Sequence, residues 1–237
     1  MKKLIAALLA NVLVLGLSGI AHAGLALNDT YQFSVWSGTY TSLGITGNAT
    51  TNLGDEPTGA PTAQFNYTGP LNFSNKESQS STNLAGAFFG SYANGIDASG
   101  FVSYTGQYSG AADFLAHDQL SSSGLSGNAL VTYMMITGVY TAAAGTNVTI
   151  SHDDGASLYA GIGNTPVIQS GSFTGQIPSP GVLPVATDAP FRLVYVEANG
   201  APSVLQVSVP EPGSLALLGT GLLGLGLVLR RRNRNRA

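Results

Sequence analysis

The chain has 237 residues, with 12 Asp and Glu against 9 Lys and Arg, and no cysteine. Seven of the nine cations fall in the first three and last eight residues, which leaves Lys76 and Arg192 against the eleven carboxylates from Asp29 to Glu197, a net charge of −9. A body of that sign repels phosphate backbones and argues against nucleic acid as a partner; without disulfides, the fold must hold through packing and backbone hydrogen bonds.

At the N-terminus, Lys2 and Lys3 precede an apolar run from Leu4 to Leu17, and Ala21 and Ala23 stand in the A-x-A spacing that signal peptidase accepts. The run is too short for a hydrocarbon core of about 30 Å. Residues 1–23 therefore read as a secretory signal peptide, cleaved after Ala23. The passenger that follows, residues 24–208, has the size of one domain.

Glycine punctuates the passenger between short segments rich in Val, Ile, Thr, Tyr and Phe, the signature of strands and turns. "YQFSVW" alternates, with Tyr31, Phe33 and Val35 on one face. "DEPTGAP" (55–61) reads as a loop, and "AQFNYTG", "LAGAFFG" and "GFVSYTG" as strands. "AADFLAHDQL" (111–120) suggests a short helix with a weak apolar face through Phe114, Leu115 and Leu120. "ALVTYMMITGVYTA", "NVTIS", "FRLVYV" and "VLQVSV" complete the strand set, with "IPSPGVLPVATDAP" (177–190) expected as a proline-rich loop. The fold class is all-β, an antiparallel β-sandwich of jelly-roll-like form. Trp36 and the tyrosines are expected in the core rather than as sugar-stacking platforms.

The stretch "ITGVYTAAAGTNVTISHDDGASLYAG" (136–161), with "FRLVYVEANGAPSVLQVSV" near the end, resembles the protective-antigen-type lectin-like β-sandwich of adhesins. The resemblance implies that Asp153 and Asp154 hold a Ca²⁺ that contacts sugar hydroxyls. Calcium favours several hard oxygen ligands, so two carboxylates need help from backbone carbonyls, Asn164, Asp188 or Glu197. Where the family has Asp-Gly after the second strand, this chain has Ala160-Gly161. The competing reading makes Asp153-Asp154-Gly155 a plain turn whose side chains bond their own backbone, with His152 a solvated strand-end residue. As catalytic carboxylates, Asp55 with Glu56 and Asp113 with Asp118 are the available pairs, but no G-x-S-x-G and no cysteine nucleophile accompany them.

The segment Gly213–Leu229 is 17 uncharged residues, about 25 Å as a helix and the lower limit for a membrane span. Arg230, Arg231 and Arg232 open a basic tail that stops the chain at the cytoplasmic side. With Pro210-Glu211-Pro212 before it, this order of parts resembles the PEP-CTERM sorting signal, here residues 209–237. The resemblance implies that exosortase cleaves at the Pro-Glu-Pro element and passes the protein from the inner membrane to the cell surface or extracellular matrix. A plain C-terminal anchor is the simpler alternative. The expected function is an exported structural or adhesive protein associated with exopolysaccharide and without enzymatic activity. The alternatives are a calcium-dependent carbohydrate-binding module and a secreted glycan hydrolase.

Overall fold

In the computed structural model, the described residues are 26–27, 30–45, 51–52, 55–75, 83–90, 98–143, 145–171 and 173–209. The expected signal peptide with Ala21 and Ala23, the motif Pro210-Glu211-Pro212, the closing span and Arg230 to Arg232 lie outside them. No helix of the described residues is long and apolar enough to cross a membrane.

The described residues are mostly strand, and every strand pairing is antiparallel. The larger sheet is built from β1 (Ala26–Leu27), β2 (Thr30–Thr39), β3 (Ala63–Thr68), β6 (Phe101–Gly106), β8 (Leu130–Ala142), β10 (Gly155–Ala160), β11 (Ile168–Ser170) and β13 (Ala186–Glu197). Its order is β11-β10-β13-β8-β2-β3-β6, with β1 also paired to β8. The smaller sheet, in the order β12-β9-β14-β4, combines β12 (Ile177–Leu183), β9 (Thr146–Asp153), β14 (Ser203–Ser208) and β4 (Asn72–Asn75). A third pairing joins β5 (Asn83–Leu84) to β7 (Gln119–Ser121).

The alternation read in the sequence becomes a division of faces. Tyr31, Phe33 and Val35 are buried in one cluster with Phe65, Ile136 and Leu193 from the larger sheet and Phe73, Val148, Ile150 and Leu205 from the smaller one. Phe33 stacks on Phe65 at 5.1 Å and meets Phe73 edge-on at 5.9 Å, so one ring ties the two layers together. Each such ring contributes about 2–3 kcal/mol through burial. Trp36 and Tyr133 form a second buried cluster, with Trp36 Nε1 donating to Gly59 O at 3.1 Å. Both aromatic sets are core, as expected.

Two segments depart from the sequence expectation. "LAGAFFG" (84–90) contributes only Leu84 to β5 and continues as a helical turn, α2 (Ala85–Phe88); α1 is Tyr40–Leu43 and α3 is Ala111–His117. Phe88 and Phe89 are consecutive and both buried, which a strand with alternating faces does not allow here, while the small Ala85, Gly86 and Ala87 permit the tight turn. "IPSPGVLPVATDAP" is not a loop: it supplies β12 and the start of β13. β12 lies at the edge of its sheet, so Pro178 and Pro180 sit where the missing N–H costs no ladder bond. The helix expected from "AADFLAHDQL" is α3, buried through Phe114 and Leu115.

Candidate functional site

The chain crosses from the smaller sheet to the larger one most abruptly where β9 ends at Asp153 and β10 begins at Gly155, with one residue between them. The Asp153–Asp154 peptide bond is cis. Both carboxylates are largely buried, Asp153 at 9% exposure and Asp154 at 4%. The expected turn that bonds its own backbone is therefore not what forms: Asp154 accepts from Ala198 N at 2.9 Å and Thr174 N at 3.2 Å, 44 and 20 residues away. Backbone amides from two separate connections fix this carboxylate because it must satisfy donors that would otherwise be left without partners at a sheet crossing.

His152 is fully buried rather than solvated. Its Nδ1 lies 2.5 Å from Asp154 O and its Nε2 2.7 Å from Ser179 Oγ. A carbonyl can only accept, so Nδ1 carries the hydrogen. Burial pushes the imidazole pKa down, which leaves Nε2 to accept from the Ser179 hydroxyl. Both nitrogens of His152 are thus committed to the framework.

Glu197 lies behind the pair and is fully buried. Its Oε1 accepts from Asn83 Nδ2 at 3.0 Å and Ser121 Oγ at 2.9 Å, and its Oε2 is 2.5 Å from Tyr195 Oη. The Tyr195 hydroxyl also donates to Asp153 O. One phenolic hydrogen cannot serve two acceptors, so the chain of bonds closes only if Glu197 carries a proton and donates it to Tyr195. Burial first, and then the nearby Asp154 charge, push the Glu197 pKa well up, in the same sense.

The electrostatics of the corner follow from burial without compensation. Among the described residues Arg192 is the only Lys or Arg, and it bonds Gly163 O and Asn164 Oδ1. Burial raises Asp153 to about 6. Burial and then the Asp153 charge raise Asp154 to about 7, against the lowering effect of the Ala198 and Thr174 amides. Two adjacent hard carboxylates held this way suit a divalent cation, which would remove their mutual repulsion. Of the additional ligands considered from the sequence, Glu197 lies beside the pair and raises no barrier to this reading while protonated. Asp188 is nine positions away on β13, roughly 30 Å at strand rise, where it exchanges hydrogen bonds with Thr141. Asn164 is tied to Arg192. Among the described residues no three His, Cys, Asp or Glu side chains converge as a metal set, so further oxygens would have to come from the backbone or water.

The carboxylates weighed for glycan hydrolysis occupy unlike settings. Asp113 is on α3, bonded to Ser109 and His117 at the surface, while Asp118 is buried and accepts from Ser37 Oγ at 2.7 Å and Tyr108 Oη at 3.0 Å. Sequence reasoning missed Thr174, Ala198, Tyr195, Asn83 and Ser121 as parts of the corner. One signal was available: in "FRLVYVE", Glu197 shares the inward face with Leu193 and Tyr195, a charged side chain at a core position.

Residues 208–232 match the PEP-CTERM protein-sorting motif. No curated protein matches the chain. Among solved structures, the chain is similar to a PA14 sugar-binding domain from an RTX adhesin, with 16% identity, 78% of this chain and 90% of that one covered, and a TM-score of 0.47. It is also similar to the PA14 domain of an antifreeze protein, with 16% identity, 78% and 85% coverage and a TM-score of 0.46. A third likeness is to the A domain of epithelial adhesin 9 from Candida glabrata, in complex with Galβ1-4GlcNAc, with 11% identity, 81% and 84% coverage and a TM-score of 0.46.

Proposed function

We propose, from the sorting motif at residues 208–232, that the chain is an exported, non-catalytic surface protein whose β-sandwich is delivered to the cell surface or its exopolysaccharide by exosortase. The motif match carries this reading. Pro210 and Pro212 lack backbone donors and restrict φ, chemistry that suits the stretch around Glu211 to recognition by a processing enzyme. Signal peptidase acts at the other end, after Ala23. The closing span and its arginines then serve as a temporary tether, and the freed sandwich acts as an adhesive or structural component. The intact mass of the mature protein tests this directly. The expected product lacks Arg230 to Ala237, and Glu211→Ala retains them; a wild-type product that keeps the arginine tail overturns exosortase processing and leaves a plain anchor.

The second reading, calcium-dependent carbohydrate binding, is favoured by the uncompensated carboxylates at the sheet crossing. Asp153 and Asp154 would hold the cation, and the cation when bound would supply positive charge for sugar hydroxyls. The Ala198 and Thr174 amides orient Asp154 for that role, and Tyr195 fixes the Asp153 backbone. At pH 7, millimolar calcium is expected to raise the melting temperature of the protein by several degrees over chelator. The gain should vanish in Asp153→Asn. Equal melting in calcium and chelator removes the lectin reading and leaves the sorting reading intact.

A further inference from the structure

The outer face of the larger sheet carries a row of hydrogen-bonding side chains that neither the core nor the acidic corner uses. The ladders place Asn66 beside Gln32, Gln32 beside Thr137, and Thr137 beside Arg192. Their neighbours Phe65, Phe33, Ile136 and Leu193 all point into the core, so the pleat turns these four outward. Four strands at about 4.8 Å give the row a length of about 14 Å. An open groove of about 620 Å³ lies along it, bordered by the exposed Thr30.

The charge on this face is distinct from that of the rest of the protein. β2, β3 and β8 contain no Asp or Glu. On β13, Asp188 is engaged with Thr141 at the far end of the strand, and Glu197 is buried behind the acidic corner. Arg192, the only Lys or Arg among the described residues, thus stands in a groove whose described lining holds no carboxylate, on a body that is otherwise strongly acidic. Its guanidinium is held over the Tyr159 ring at 5.8 Å from the centroid, and Nη2 donates to Gly163 O and Asn164 Oδ1. These bonds orient the plate through one terminal nitrogen, while Nη1 and Nε carry further N–H donors suited to a carboxylate.

We infer that this groove binds a polysaccharide strand bearing uronic acid, with Arg192 pairing to a sugar carboxylate and Gln32, Asn66 and Thr137 bonding ring hydroxyls. An isolated cation amid neutral amides and hydroxyls selects an anionic sugar over a neutral one, because a neutral sugar gains the hydrogen bonds without the charge-assisted pair. The site is separate from the acidic corner: Arg192 precedes Glu197 by five residues on β13 and faces the opposite side of the sheet. It needs no cation.

The test is calorimetric titration of the full chain in detergent, in the presence of chelator, with trigalacturonate and its methyl ester as probes. Trigalacturonate is expected to bind at least tenfold more tightly than the ester. Arg192→Gln should lose at least tenfold, and Arg192→Lys, which keeps the charge without the fork, less. Gln32→Glu, an exposed change that leaves packing untouched, should weaken the acid by about tenfold through repulsion. Equal affinity for acid and ester, no binding of either, or wild-type affinity in both Arg192→Gln and Gln32→Glu each overturns the inference.

Discussion

Glu197→Gln is expected to leave the protein as stable as wild type at neutral pH or more so, whereas Glu197→Ala should cost about 3–4 kcal/mol, a fall of roughly 10 °C in melting temperature. The difference follows from the hydrogen count at Tyr195. A protonated Glu197 donates once, to the Tyr195 hydroxyl, and accepts from Asn83 and Ser121. Glutamine reproduces that pattern, with its amide N–H donating and its carbonyl accepting. Alanine leaves Asn83 and Ser121 without their acceptor in a site that excludes water, and adds a void. The sign with pH is fixed by the raised pKa of Glu197: the unfolded chain releases this proton at ordinary carboxylate pH and the folded one does not, so wild type loses stability as pH rises above about 4.5. Glutamine has no such loss, and its advantage should widen toward pH 7. Equal destabilisation by Gln and Ala, followed by thermal denaturation across pH, would mean that Glu197 is ionised.

In chelator, the melting temperature of wild type should also fall between pH 4 and pH 7 on account of Asp153 and Asp154. Their folded pKa values, about 6 and about 7, lie above the ordinary 3.8. Both are protonated in the folded state at pH 4, and the unfolded state gives up its protons first as pH rises. Stability is therefore fully present below pH 4 and declines through the window until both are ionised. At about 1.4 kcal/mol for each pH unit of displacement, the two shifts together set an upper bound of about 7 kcal/mol. Three further groups share the corner. The lowered imidazole pKa of His152 makes the unfolded histidine take up a proton below about pH 6.5 and so opposes the carboxylates. Glu197 adds to their decline above about pH 4.5, and the Tyr195 phenol, pushed far up, adds no step in this window. Asp153→Asn should make the decline shallower and raise the melting temperature at pH 7 while changing little at pH 4. Asp154→Asn tests less cleanly, since one amide oxygen replaces two carboxylate oxygens that accept from Thr174 and Ala198. A flat wild-type profile would show that the carboxylates are better solvated than their burial implies.

The sandwich was legible because its strands are half-buried and alternate. Phe33 against Gln32, or Val148 against Asn147, states a face in two residues. "LAGAFFG" was misread because two adjacent phenylalanines carry strand propensity, while the packing of both rings into one core requires a helical turn. The proline-rich stretch was misread because proline excludes an interior strand but not an edge, and edge position is a property of the assembled sheet. At the corner, Asp153 and Asp154 stand together in the sequence, whereas Thr174, Ala198, Asn83 and Ser121 arrive from other elements through pairing that no local pattern encodes. The outward row ending in Arg192 depends on register across four strands, and only Arg192 stood out beforehand, as one of two cations in the passenger.

The prolines of β12 bear on how copies of this protein meet when crowded outside a cell. Hydrogen-bonding direction alternates along a strand, so residues 178 and 180 present to solvent a rim with acceptors but without the donors a newcomer would need. Another copy of the protein is thereby hindered from zipping on along that side. Any joining of one sheet to the next would then have to use a rim other than that of β12.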